Sequence, residues 1–198
     1  MSIDWSYPEP RKGLIGEWDK FIGPGATRAE LWLELGSALV AGVALVAYAL
    51  VQDLGWSGWQ LLVAGLLALD LMGGVVTNAT TAAKRWYHRE GQGLPQHIGF
   101  VAVHVVHLFL VAWLFRGMDW TFLLVMYGYL LVASFVILRV PLYLQRPVAL
   151  LWLCGVVAIN HYVFAPVAGL EWFLPVFFLK LLVSHLLREA PYRSASRE

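Results

Sequence analysis

Asp70, His104, His107 and His161 are the residue types that ligate metals or move protons, and they stand in stretches otherwise apolar enough to lie in lipid. A charged Asp at the centre of a membrane span costs about 2.5–3.5 kcal/mol on insertion scales, so an ionisable residue there marks a working site by default. His104 and His107 are three apart, on one helix face. With Asp70 and His161 they give a possible four-ligand set for a divalent ion, zinc or iron, with an open position for water as nucleophile. The same residues serve as acid and base groups, with Asp70, His107 and His161 as the catalytic candidates. Haem held by two histidines from facing helices is a weaker use of the site. A proton relay is the third, since Asp/His chains mark such paths.

Around these residues lies a polar stripe. On a helix turning about 100° per residue from Asp70, Thr77 falls at about −20°, Thr81 at about 20°, Lys84 at about −40° and His88 at about 0°, with Asn78 at about 80°. His97, His104 and His107 fall within about 80° of each other on the next helix. Four of the six histidines thus belong to residues 70–107. Asn160, beside His161, and Lys180 and His185 near the C-terminus complete the polar lining. Lys180 is a buried charge with no acid on its own helix at spacing four, and Asp70 is a partner open to it. These groups read as a line from the inner membrane surface to the midplane.

The elements that position them are membrane helices. The chain is 60% hydrophobic and 14% charged, against about 25% charged in soluble domains, and its mean hydropathy is +0.67. The expected fold is all-α: a polytopic membrane protein, a six-helix transmembrane bundle over 28–188, preceded by a cytoplasmic segment 1–27 and followed by a cytoplasmic tail 189–198. The spans are expected at about 28–52, 58–85, 97–116, 119–140, 147–165 and 172–188, each near the roughly 20 residues that cross a bilayer. Leu14, Ile15, Trp18, Phe21 and Ile22 recur at helical spacing and predict a short amphipathic interfacial helix. Thr27 and Glu30 predict a capping box at the first span. Ser37, Ala38, Ala41 and Gly42 offer a small-residue face for close helix contact.

Of the 14 Lys and Arg residues, 12 fall in segments that a six-span chain puts on the side of its termini, with Arg116 opposite and Lys180 within a span. The positive-inside rule makes that side cytoplasmic, in a cytoplasmic (cell inner) membrane. No cleavable signal sequence is expected at the start. The single Cys154 excludes an internal disulfide and CxxC chemistry. The net charge of +1 gives no reason to expect nucleic acid. HExxH, GxSxG and phosphate-cradling glycine loops are absent. The first functional expectation is a metal-dependent, hydrolase-like membrane enzyme acting on a lipid or small amphiphile. The others are a proton-coupled transporter or channel, and a haem or structural subunit.

Overall fold

The computed structural model describes residues 2–193. Among them the chain is helical apart from one two-residue antiparallel pairing, β1 (Ser2–Ile3) with β2 (Tyr192–Arg193), in the register Ser2 to Arg193 and Ile3 to Tyr192. The two ends of the described chain therefore lie together. Residues 194–198 of the expected tail are outside the described residues. Its start is tied down, with Glu189 paired to both Lys84 and Arg146.

Five helical segments are long and apolar enough to cross a membrane: α2 (Arg28–Val51), α3 (Gly58–Ala79), the pair α5 (Leu94–Val103) and α6 (Val105–Leu114), α7 (Trp120–Arg139), and α8 (Leu142–Tyr162). This is the build of a helical membrane protein. The expected sixth span is shorter. It consists of α9 (Phe173–Phe178) and a π-helix (Leu179–His185), a mostly apolar stretch of 13 residues that rises about 20 Å where a hydrocarbon core is about 30 Å. It is nonetheless central, since Phe173, Phe177, Phe178, Leu181 and Leu182 are fully buried and pack with Leu71, Leu108, Met126 and Leu130.

Other boundaries differ for local reasons. The second expected span breaks at Thr80, whose extended backbone closes α3 while its hydroxyl accepts from Ala83 N and so begins α4 (Thr81–Tyr87). The third is interrupted at His104, whose Nδ1–H donates to Phe100 O (2.7 Å), a carbonyl an unbroken helix would give to the His104 amide; that amide turns to Val101 O instead. The fifth begins at Leu142 rather than near Pro147. Val140 is extended ahead of Pro141, so the connection to α7 is two residues long, and Pro147 sits inside the helix.

The capping box is present, with Glu30 N to Thr27 Oγ1 at 3.2 Å and Thr27 N to Glu30 Oε2 at 2.7 Å. The small-residue face is used as expected: a Cβ on Gly42 would stand 3.1 Å from Gly65 O, and one on Gly73 2.9 Å from the Ala38 Cβ. The amphipathic helix α1 (Gly13–Ile22) exists, but it docks with its narrow face. Gly16, Asp19 and Ile22 are buried, Gly23 meets the Ala82–Ala83 backbone, and Tyr87 Oη donates to Phe21 O. Leu14, Ile15, Trp18 and Phe21 point outward.

Candidate functional site

The site is built on α3, and its first part is a triad. Asp70 Oδ2 accepts from Lys180 Nζ at 2.6 Å and from His107 Nε2 at 2.8 Å. Three elements thus meet on one carboxylate oxygen, and Asp70 Oδ1 takes no hydrogen bond from any described residue. Gly74 makes the approach possible: a Cβ there would lie 2.3 Å from Lys180 Cε. With Nε2–H given to Asp70, the other ring nitrogen of His107, Nδ1, is buried without a partner among the described residues. The His104 ring stacks on His107, centroids 5.0 Å apart.

The second part is a hydrogen-bonded chain nearer the α3–α4 break. Asn78 Nδ2 donates to Gly74 O (2.8 Å), which fixes Oδ1 as the acceptor of His185 Nδ1–H (3.0 Å). His185 Nε2 must then accept from His97 Nδ1–H (3.2 Å), and His88 Nε2–H donates to His185 O (2.9 Å). All three imidazoles are buried. His88, beyond the spans, is pushed down to about 3 by burial and then by neighbouring His97 and Lys84, so its ring is neutral.

The π-helix aligns the two parts. Five residues of α-helix turn about 500°, which would leave positions 180 and 185 about 140° apart. The i to i+5 register stacks them on one face. Lys180 then reaches Asp70 and His185 reaches Asn78 on the same helix, α3.

The two parts do not join. No hydrogen bond links them among the described residues. The Phe100 ring stands between, 3.8 Å from the His185 centroid and 4.7 Å from that of His104. The expected continuous line of titratable groups is therefore interrupted by one apolar ring.

Several expected members lie elsewhere. His161 falls in the last turn of α8 and is exposed; since α8 starts at Leu142, His161 is about 28 Å along it. Asn160 beside it donates to Glu171 O. Among the described residues no three His, Cys, Asp or Glu side chains are placed to hold a metal ion. The expected set of Asp70, His104, His107 and His161 is not assembled: His161 is remote, His104 Nδ1 is given to a carbonyl, and a lysine occupies the carboxylate. Thr77 is buried close to Asp70, but the break at Thr80 removes Thr81, Lys84 and His88 from the Asp70 stripe. Thr81 Oγ1 donates to Tyr192 O. Lys84 Nζ donates to Ser184 O and Leu187 O, each at 2.6 Å, and so caps the open carbonyls that end the π-helix. Burial pushes that ammonium down to about 8 against the pull of Glu189.

Glu34 is a buried acid outside the polar stripe expected from the sequence. It is 2% exposed, and both its carboxyl oxygens lack a partner among the described residues. An acidic residue seven positions into the first span was the available signal. Glu34 and Asp70 line one cavity of about 170 Å³ between α1, α2 and α3, with Trp18, Phe21, Leu35 and Gly73 among its walls.

No family model matches this chain, and neither a curated protein nor a solved structure shows a detectable similarity to it.

Proposed function

We propose that the protein is a proton-coupled transporter of a cytoplasmic membrane, with both ends on the cytoplasmic side and Asp70 as the coupling carboxylate. The observation that carries this reading is the sharing of Asp70 Oδ2 by Lys180 and His107. Uptake of a proton at the vacant His107 Nδ1 turns the ring into an imidazolium. Two cations then compete for one carboxylate oxygen in a low-dielectric site, where such terms are strong. The balance between Lys180 and His107 differs between the two protonation states, and that difference is what a conformational change requires. The part proposed to move is the π-helix that carries Lys180 and His185, a kind of element often found at functional sites. The second chain, Asn78–His185–His97–His88, supplies the cytoplasmic end of the path, with Phe100 as the barrier that keeps it from being an open wire.

The orientation is supported by the basic residues and by the pairing of β1 with β2, which joins the two ends of the described chain. The exposed Leu14, Ile15, Trp18 and Phe21 of α1 then rest on the bilayer interface.

The test is proton flux in proteoliposomes carrying an internal pH-sensitive dye under an imposed potential. Wild type is expected to carry flux above protein-free vesicles between about pH 5 and 8, where histidine titrates. Asp70→Asn, reconstituted to the same density and helical by circular dichroism, is expected to lose at least tenfold. Wild-type flux at the protein-free level across that range, or full flux in Asp70→Asn, overturns the reading.

A further inference from the structure

We infer that the cavity between α1, α2 and α3 binds a single-chain amphiphile with a protonated amine headgroup, Glu34 receiving the ammonium. The inference rests on reading Asp70 as the working carboxylate and names the chemistry of what that site takes.

The other buried acid among the described residues, Asp19, is compensated by Arg11, with Nη2 to Oδ1 at 2.7 Å, and the partly exposed Asp70 is paired with Lys180 and His107. Glu34 is buried with neither oxygen bonded, and its helix neighbour Glu30 is fully engaged, holding Thr27 N and Ala82 N. A buried polar group left without a partner is costly, and more so a carboxylate. A donor entering the cavity removes that cost. A cation does so better than a neutral hydroxyl, because a charge-assisted bond is about twice as strong as a neutral one. No Lys, Arg or His side chain lines the cavity to repel it.

The remaining walls say what the headgroup is attached to. Trp18, Phe21 and Leu35 are apolar and partly exposed, so the cavity continues onto the outer, apolar surface of the bundle. An alkyl chain would leave along that surface while the amine stays inside. The volume, about 170 Å³, suits a headgroup with a few carbons and not a whole lipid. Asp70 Oδ1, free of protein donors, is the second acceptor available there. Ammonium on both carboxyls would set the ligand beside the oxygen that Lys180 and His107 share, the link that coupling needs.

The experiment uses the full-length protein in neutral-lipid nanodiscs without any gradient, with dodecylamine, dodecanol and dodecanoate as probes, titrated against tryptophan fluorescence. A Trp18→Phe protein identifies the part of the signal that comes from the cavity. Dodecylamine is expected to bind saturably and at least tenfold more tightly than dodecanol, with dodecanoate weakest. Glu34→Gln is expected to weaken the amine at least tenfold and the alcohol little. Leu35→Trp, at a half-exposed position, is expected to block all three by filling the cavity. Equal affinity for amine and alcohol, or amine binding unchanged in Glu34→Gln, overturns the inference. So does a probe response that Leu35→Trp leaves intact. Because binding is read without flux, the two readings fail separately: amine binding without proton flux removes only the transport reading, and flux without amine selectivity removes only this one.

Discussion

Gly74→Ala probes the triad through a residue that carries no titratable group. The new Cβ would stand 2.3 Å from Lys180 Cε, 2.8 Å from Cδ and 2.9 Å from Nζ. A lysine end is flexible, so the overlap itself is relieved by swinging the side chain away. What is lost is the 2.6 Å contact with Asp70. Lys180 is 4% exposed but the Asp70 side chain is 40% exposed, so separating this half-buried pair costs about 2–3 kcal/mol, less than a fully buried one. Alanine in place of glycine returns about 0.8–1 kcal/mol of helix propensity. The net expectation is a loss of about 1–2 kcal/mol, read by reversible unfolding in mixed detergent. In a Lys180→Met background there is no ammonium to displace, and the same substitution should be neutral or stabilising. Proton flux should fall in Gly74→Ala as it does in Asp70→Asn. A stability change below about 1 kcal/mol, or an equal loss in both backgrounds, would refute the account of Gly74 as the space Lys180 needs.

Two other expectations concern the imidazole chain and its barrier. An unfolded His88 takes up a proton near pH 6.5, and the folded ring not until about 3; between them the unfolded state binds more protons, so stability is full above that window and falls as pH drops through it, by up to about 1.4 kcal/mol per pH unit. His88→Gln, which keeps a donor for His185 O, should flatten the slope of stability against pH below neutrality; an unchanged slope would show that His88 is not held neutral by the fold. Phe100→Ala should raise proton leak in proteoliposomes, because the ring between His185 and His104 is then replaced by space for water; leak no higher than wild type would mean that another group separates the two clusters.

Local pattern and composition were enough to set the helices and their ends. Apolar runs near 20 residues forced spanning helices. Thr27 and Glu30 made the first cap, and the small residues of α2 allowed its close contact with α3. Asp70, His107 and Lys180 were legible as intramembrane ionisable groups, because lipid makes each of them costly unless paired. Which of them meet depends on how the helices pack. A constant 100° per residue failed wherever the backbone ladder changed: at Thr80, where a hydroxyl starts a new helix; at His104, where an imidazole takes a carbonyl; and over Leu179–His185, where the π register brings Lys180 and His185 onto one face. Each change is local, but what it rotates into place lies on another helix. That is why His161 could be assigned to Asp70 from helix depth and yet stand at the far end of α8, and why Glu34, isolated in its own segment, proved to share a cavity with Asp70. Periodicity fixes which residues must leave water; only the packed arrangement fixes which carboxyl is left without a partner.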